Sequence, residues 1–247
     1  MGTFVRVLRS EWLKLRKSNI WLLIFVSPLL ASLIGFAARM EAEAGKGGDW
    51  LLLFSYMGVT HALLFLPLLT GIFAAFICRY EHGGGGWKQV LALPVSRTQL
   101  FVAKLTLVVM LLAVTQLLFG AGLLAVGSLK GIESAVPWEL LLKGMLGGLV
   151  ATLPLAALQL TVSVAWASFA APLALNVIFT LPNILVANST TYGPYYPWAQ
   201  PMLAMLPSSE DSFGAFNVSF ETLLFVICGS FALFFVSGLT YFQRKEI

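Results

Sequence analysis

Six long apolar runs, parted by short polar, charged or glycine-rich stretches, organise the chain: near 19–38, 53–78, 101–127, 143–165, 168–187 and 221–242. A hydrocarbon core about 30 Å thick demands roughly 20 apolar residues of a helix that crosses it, and each run comes near that length. The pattern predicts an all-α polytopic membrane protein, a single domain over residues 1–247 with six transmembrane helices. No charge marks the turn between the fourth and fifth runs, around Trp166–Ser168. A hairpin is expected there, because Ile132–Asn188 is too long for one crossing.

Composition agrees with a chain solvated by lipid. Hydrophobic residues make up 59% and charged residues 11%, with a mean hydropathy of +0.88, too little polar surface for the soluble domains that the length would otherwise allow. The basic residues before the first run suggest a signal peptide. However, Ile20–Ala38 exceeds the roughly 7–15 residues of a secretory core, so an uncleaved first span is expected.

The net charge of +4 comes from basic residues that flank apolar runs rather than gathering on one wet face, which excludes nucleic acid as a partner. Five basic residues precede the first span, four (Arg79, Lys88, Arg97, Lys104) surround the second loop and two (Arg244, Lys245) follow the last span. The opposite side holds Arg39, Lys46, Lys130 and Lys143. Lys and Arg bias sets orientation, so both termini and the loop at 79–100 are expected in the cytoplasm, and 188–220 outside the cell membrane.

Residues 1–18 form an amphipathic segment. On a wheel of 100° per residue Phe4, Val5, Val7, Leu8, Trp12 and Leu15 share one face, while Arg6, Arg9, Arg16 and Lys17 take the other, the pattern of an interfacial helix that meets anionic lipid. Glu11 falls at the edge of the apolar face. Either a cationic group on a neighbouring chain or loop pairs with it or it snorkels to water.

Several chemistries lack their residues. The run Gly83–Gly86 is followed by no Gly-Lys-Ser/Thr, so no phosphate loop is expected, and neither a zinc-protease nor a serine-hydrolase motif occurs. No metal or cofactor is expected in this chain. Cys78 and Cys228 lie in or beside apolar runs as small hydrophobes. His61, Gln116, Gln159, Asn176 and Asn183 are read as hydrogen-bond glue between spans. No carboxylate lies deep in a span, which argues against proton-driven transport. Gly144-x-x-x-Gly148 permits close helix approach, within the subunit or at a dimer seam.

The loop at 79–100 carries the most information. Its glycines release the second span, Trp87–Leu93 can make about two helical turns, and Pro94 stops them. Ser96 and Gln99 match a capping box that starts the third span. The expected result is a short crosswise helix strung between two spans. On the other side, 188–220 holds Tyr192, Tyr195, Tyr196 and Trp198, which serve either as interfacial anchors or in binding.

Glu81, the glycines, Trp87, the run Leu91-Ala92-Leu93-Pro94-Val95-Ser96-Arg97 and Lys104 resemble the signature of ABC type-2 exporter permeases, at the position of their coupling helix. Glu11-x-x-Lys14-x-x-Lys17 resembles that family's connecting helix, and the likeness covers essentially the whole chain. Tyr195-Tyr196-Pro197-Trp198-Ala199-Gln200-Pro201 is most similar to the lantibiotic-immunity subgroup. The resemblance implies a transport subunit that is not itself an enzyme. It also implies a partner pair of ABC ATPase subunits carrying ATP and Mg, and a second permease, identical or related. Membrane lipid surrounds the assembly, and an antimicrobial peptide is expelled. It places ATPase coupling on Glu81, Trp87, Leu91, Pro94 and Arg97, with Glu11 and Arg16 beside them. For Arg97 and Lys104, plain positive-inside anchoring is the alternative. The substrate side falls on Tyr192, Tyr195, Tyr196 and Trp198. Another cargo (a drug, a lipid-linked sugar, a haem-like molecule) stays open, as does a membrane enzyme or scaffold without ATP.

Overall fold

The computed structural model describes residues 2–16, 18–38, 48–83, 85–206, 216 and 218–246. Lys17, Gly84, Glu210, Asp211 and the linker residues Arg39, Glu41, Glu43 and Lys46 lie outside them. The described residues are helical, without strands. Five helices are long and apolar enough to cross a membrane: Asn19–Ala37, Trp50–His82, Arg97–Leu129, Trp138–Ala165 and Phe220–Arg244. These correspond to five of the six expected runs, and the chain is a multi-pass membrane protein.

The N-terminal helix α1 (Thr3–Arg16) buries Val7, Glu11 and Leu15, a stripe at helical spacing. That stripe rests on protein. Val5, expected on the apolar face, is exposed. A 3₁₀ turn leads into α2 (Leu23–Ala37). The second span is built in three pieces: α3 (Gly48–Thr60), a π turn (His61–Phe65) and α4 (Leu66–His82). Pro67 explains part of this irregularity, since it has no N–H to give to the Leu63 carbonyl four residues back. Asn183 supplies the missing donor, its Nδ2 lying 2.8 Å from Leu63 O. Asn176 Nδ2 likewise reaches Pro67 O at 3.0 Å, an approach that the absent side chain of Gly71 allows. In lipid such carbonyls must find partners inside the protein.

Helix α5 (Gly86–Leu91) is short, and α6 (Arg97–Leu129) is the longest uninterrupted helix. At 1.5 Å per residue α6 runs about 50 Å, well beyond the hydrocarbon thickness. The expected capping box is present, with Gln99 N donating to Ser96 Oγ at 3.1 Å and Ser96 N to Gln99 Oε1 at 3.4 Å. The fourth span joins α7 (Trp138–Ala151) to α8 (Leu153–Ala165), with Pro154 just past the join.

The fifth run differs from a simple crossing. Its turn falls where expected, after Ala165, but α9 (Ala170–Thr180) stops at Leu181-Pro182 and a separate α10 (Asn183–Ala187) follows. Nor is 188–220 simply a solvated loop: α11 (Gln200–Met205) is buried along its whole length. Its seat is the glycine patch of α7, where a Cβ on Gly144 would stand 2.6 Å from Met205 O and one on Gly147 2.8 Å from Ala204 O. The glycines therefore serve packing within the subunit. The last helix, α12 (Phe220–Arg244), buries little beyond Leu223, Ile227, Gly238 and Phe242.

Candidate functional site

A buried ring of four charges gathers where α1, α4 and α6 meet. Glu11, placed by the α1 stripe, accepts from Lys14 one turn later and, through its other oxygen, from Lys104 Nζ at 2.7 Å. Glu81, in the last turn of α4, accepts from Lys14 at 2.6 Å and from Lys104 at 2.8 Å. The third ammonium proton of Lys104 goes to Ile77 O at 2.9 Å. Charges alternate around the ring and sum to zero, so every carboxylate oxygen faces a cation. That is the condition under which charge is tolerated out of water. Lys104 is 1% exposed, Glu81 2% and Glu11 3%, whereas the Lys14 side chain keeps 28%. Of the two alternatives for Glu11, the cation partner is the one found, and Lys104 is a specific contact rather than a surface anchor.

The short helix touches this ring through Trp87. Gly85 takes φ +73, a backbone conformation suited to glycine. Gly86 lies so close to α4 that a Cβ would stand 2.8 Å from Tyr80 O. The chain therefore folds back and buries the Trp87 indole. Its Nε1 donates to His82 Nδ1 at 3.2 Å, its ring lies 5.7 Å from Lys104 Nζ, and it meets the Phe242 ring edge-on at 5.3 Å. One side chain thus bears on α4, α6 and α12.

Arg97 closes the same end. Its Nη1 donates to the carbonyls of Phe242, Gln243 and Lys245 at 2.8, 2.9 and 2.7 Å, satisfying the last turn of α12 as a cation at a helix C-terminus should. Lys245 donates to Val164 O at 2.6 Å, and burial lowers its pKa from the ordinary lysine value. Leu91 is half-buried, while Pro94 and Arg16 are exposed. The expected coupling residues thus divide in two: Glu11, Glu81, Trp87 and Arg97 tie elements together, and Leu91, Pro94 and Arg16 remain accessible. Sequence reasoning missed His82 and Phe242, and gave Lys14 and Lys104 no pairing. The one clue was a carboxylate on an apolar face, which calls for cations.

The aromatic group divides as well. Tyr192 and Tyr195 are exposed, but Trp198 is buried, donating to Asn176 Oδ1 at 2.8 Å and stacked 5.0 Å from the Phe179 ring. Tyr196 donates its hydroxyl to Phe179 O at 2.5 Å, and burial raises its pKa. A further polar chain crosses the bundle: Ser27 Oγ to His61 Nδ1 at 2.6 Å, His61 Nε2 to Gln116 Oε1 at 2.7 Å, and Gln116 Nε2 to Met145 O at 2.9 Å. It links α2, the π turn, α6 and α7. Among the described residues no group of three His, Cys, Asp or Glu gathers that could hold a metal.

Long apolar helices with an N-terminal helix and a short interspan helix locked to one end describe a multi-pass membrane protein, and the sequence of residues 7–183 matches the family described as ABC-2 family transporter protein. The chain belongs to that family, whose members are permeases working with an ABC ATPase. Among curated relatives it is 28% identical over 196 residues to the bacitracin transport permease protein BCRB of Bacillus licheniformis, a match covering 75% of this chain and 86% of that protein.

Proposed function

We propose that this chain is the permease subunit of an ATP-driven exporter that clears an antimicrobial peptide from the cell membrane. It has six crossings and both termini in the cytoplasm. The sixth crossing is the broken pair α9–α10, which spans 18 residues from Ala170 to Ala187 and so reaches about 27 Å at helical rise. The eleven-to-four split of basic residues supports the orientation. ATP and Mg belong to a pair of separate ATPase subunits, and a second permease, identical or related, completes the pathway. Val5 and Leu13, exposed on α1, suit it to lying at the lipid boundary.

The observation that carries the coupling is the Trp87 wedge. The outward side of the short helix offers Lys88, Gln89, Ala92, Leu93 and Pro94, all exposed, and Leu93 at 58% exposure is a large apolar group left uncovered by the described residues. An ATPase seated there moves α5. Trp87 then carries that displacement to α4, α6 and α12 together, and the charged ring brings α1 with them. Closure and cargo bias the same equilibrium provided each favours one conformation.

Family membership and the bacitracin transport relative support a peptide antibiotic as cargo. The lantibiotic subgroup is the finer assignment, supported by the sequence around Tyr195–Pro201. Two measurements test the proposal. Cells lacking the gene should become sensitive to lantibiotics or bacitracin; unchanged tolerance of both, with new sensitivity to small drugs, would overturn the cargo. With the ATPase co-purified, Trp87→Gln or Leu91→Gln should abolish peptide-stimulated ATP hydrolysis and resistance while the complex still assembles. Full stimulation in both variants would sink the coupling role.

A further inference from the structure

Beside the charged ring, at the same end of the bundle, a cavity of about 230 Å³ opens between α4, the α8–α9 turn and the start of α9. Arg79 sits at its mouth. The guanidinium lies 5.8 Å from the Phe76 centroid and 5.6 Å from that of Phe169, two rings set edge to face. It makes no ion pair among the described residues. Aromatic faces thus fix the cation while its N–H donors stay free. In the wall, Ser163 is 2% exposed and its hydroxyl has no partner among the described residues, although the Ser163 carbonyl is taken by His82 Nε2 at 2.6 Å. Both His82 nitrogens are committed, the other to Trp87. No acidic residue lines the cavity, and α9 begins there without a side-chain cap.

An anchored guanidinium, a buried hydroxyl without an acceptor and the positive end of a helix all want an anion with several acceptor oxygens. A second observation says which anion. From the cavity, α9 presents Val177, Ile178 and Leu181 outward, exposed and apolar, and Trp166 is exposed at the turn itself, the kind of side chain that marks a membrane boundary. An acyl chain can follow that stripe. A free phosphate has no use for it.

We propose that this pocket holds the phosphate of an anionic glycerophospholipid, gripped by Arg79 and Ser163, with its acyl chains along α9. Such basic pockets between membrane helices are a known physical solution for headgroups. The site stands on α4, α8 and α9 alone and does not depend on the ATPase or the cargo.

Native mass spectrometry of the full chain in mild detergent, titrated with phosphatidylglycerol or phosphatidylcholine, tests it. One phosphatidylglycerol should be retained about tenfold more tightly than phosphatidylcholine, whose choline cation offsets the phosphate charge and is repelled by Arg79. Arg79→Gln should erase the preference, Arg79→Lys keep part of it, and Ser163→Ala weaken retention severalfold. Arg79 is exposed, so its loss leaves the fold intact, and equal preference in wild type and Arg79→Gln would overturn the proposal. So would release of the lipid by millimolar inorganic phosphate, which would assign the pocket to free phosphate.

Discussion

Replacing Lys104 with methionine isolates what the charged ring contributes. The substitution keeps the length and apolar stem of the side chain but leaves Glu11 and Glu81 with only Lys14, which is partly open to water. Breaking a buried ion pair by removing one partner costs about 3–5 kcal/mol, because a charge stays behind without compensation. At about 2–4 °C per kcal/mol for a chain of this size, the melting temperature should fall by about 6–20 °C. Glu81→Gln alone should do similar damage, leaving two cations against Glu11. The double variant Lys104→Met with Glu81→Gln retains the neutral pair Glu11–Lys14, so its loss should be no larger than that of either single change. Lys14→Met also strips a cation from two buried carboxylates, so it should be costly too, and less so than Lys104→Met only to the extent that water reaches the place Lys14 leaves. The assay is thermal unfolding of the detergent-solubilised protein followed by tryptophan fluorescence, all variants in one buffer. Additive losses in the double variant, or a shift under 2 °C or so in Lys104→Met, would refute the picture of a mutually dependent ring.

Other expectations concern the polar and glycine contacts. Gly144→Ala should lower the melting temperature, because its Cβ meets Met205 O, whereas Gly229→Ala in α12, with open space around it, should be neutral or stabilising by up to about 1 kcal/mol through helix propensity; equal effects would remove the α7–α11 seat. Asn183→Leu strips the donor from Leu63 O and Trp198 O and should cost about 2–4 kcal/mol at the usual price of buried unsatisfied acceptors. Adding Pro67→Ala restores an N–H four residues after Leu63 and should recover part of that loss in the same unfolding assay. Arg97→Ala should loosen the end of α12, read as faster amide exchange at Phe242–Lys245, while Arg97→Lys should protect it in part; identical exchange in both would show that the three carbonyl contacts do not hold that terminus.

What the sequence made legible follows from the solvent. Lipid gives a polar group no partner, so each polar residue inside an apolar run announces a need, and Glu11, His61, Gln116, Asn176 and Asn183 could all be picked out on that ground. Five of the spans, the Ser96–Gln99 cap and the glycine-released short helix were legible too, because hydropathy, capping and proline act within a few residues. Partners were not. Glu11 and Lys104 stand 93 residues apart, and no local rule joins them. The same limit hid α11: five apolar residues at Met202–Leu206 are too few to suggest burial, and Gly144-x-x-Gly147-Gly148 shows only that the backbone leaves room for a close neighbour. Each half was visible, but the match between them belongs to the tertiary fold. Pro182 and the π turn are a third case, where a break that looks local in sequence is sustained by donors from another helix.

If this end couples to an ATPase as proposed, the burial of Glu11, Glu81 and Trp87 has a reason. A surface that merely touched an ATPase could be built from exposed charges alone. Transmission needs the moving piece to be packed against the pieces it moves, since close-packed contacts pass displacement on while solvated side chains absorb it. Trp87 meets that requirement directly, with partners on three helices. The ring meets it electrostatically: Lys104 cannot leave Glu81 without stranding Glu11, so α1, α4 and α6 shift together or not at all. In the proposed coupling, the buried Glu11 and Glu81 would stand one step behind the partner surface, in the linkage that Leu91, Leu93 and Pro94 would drive.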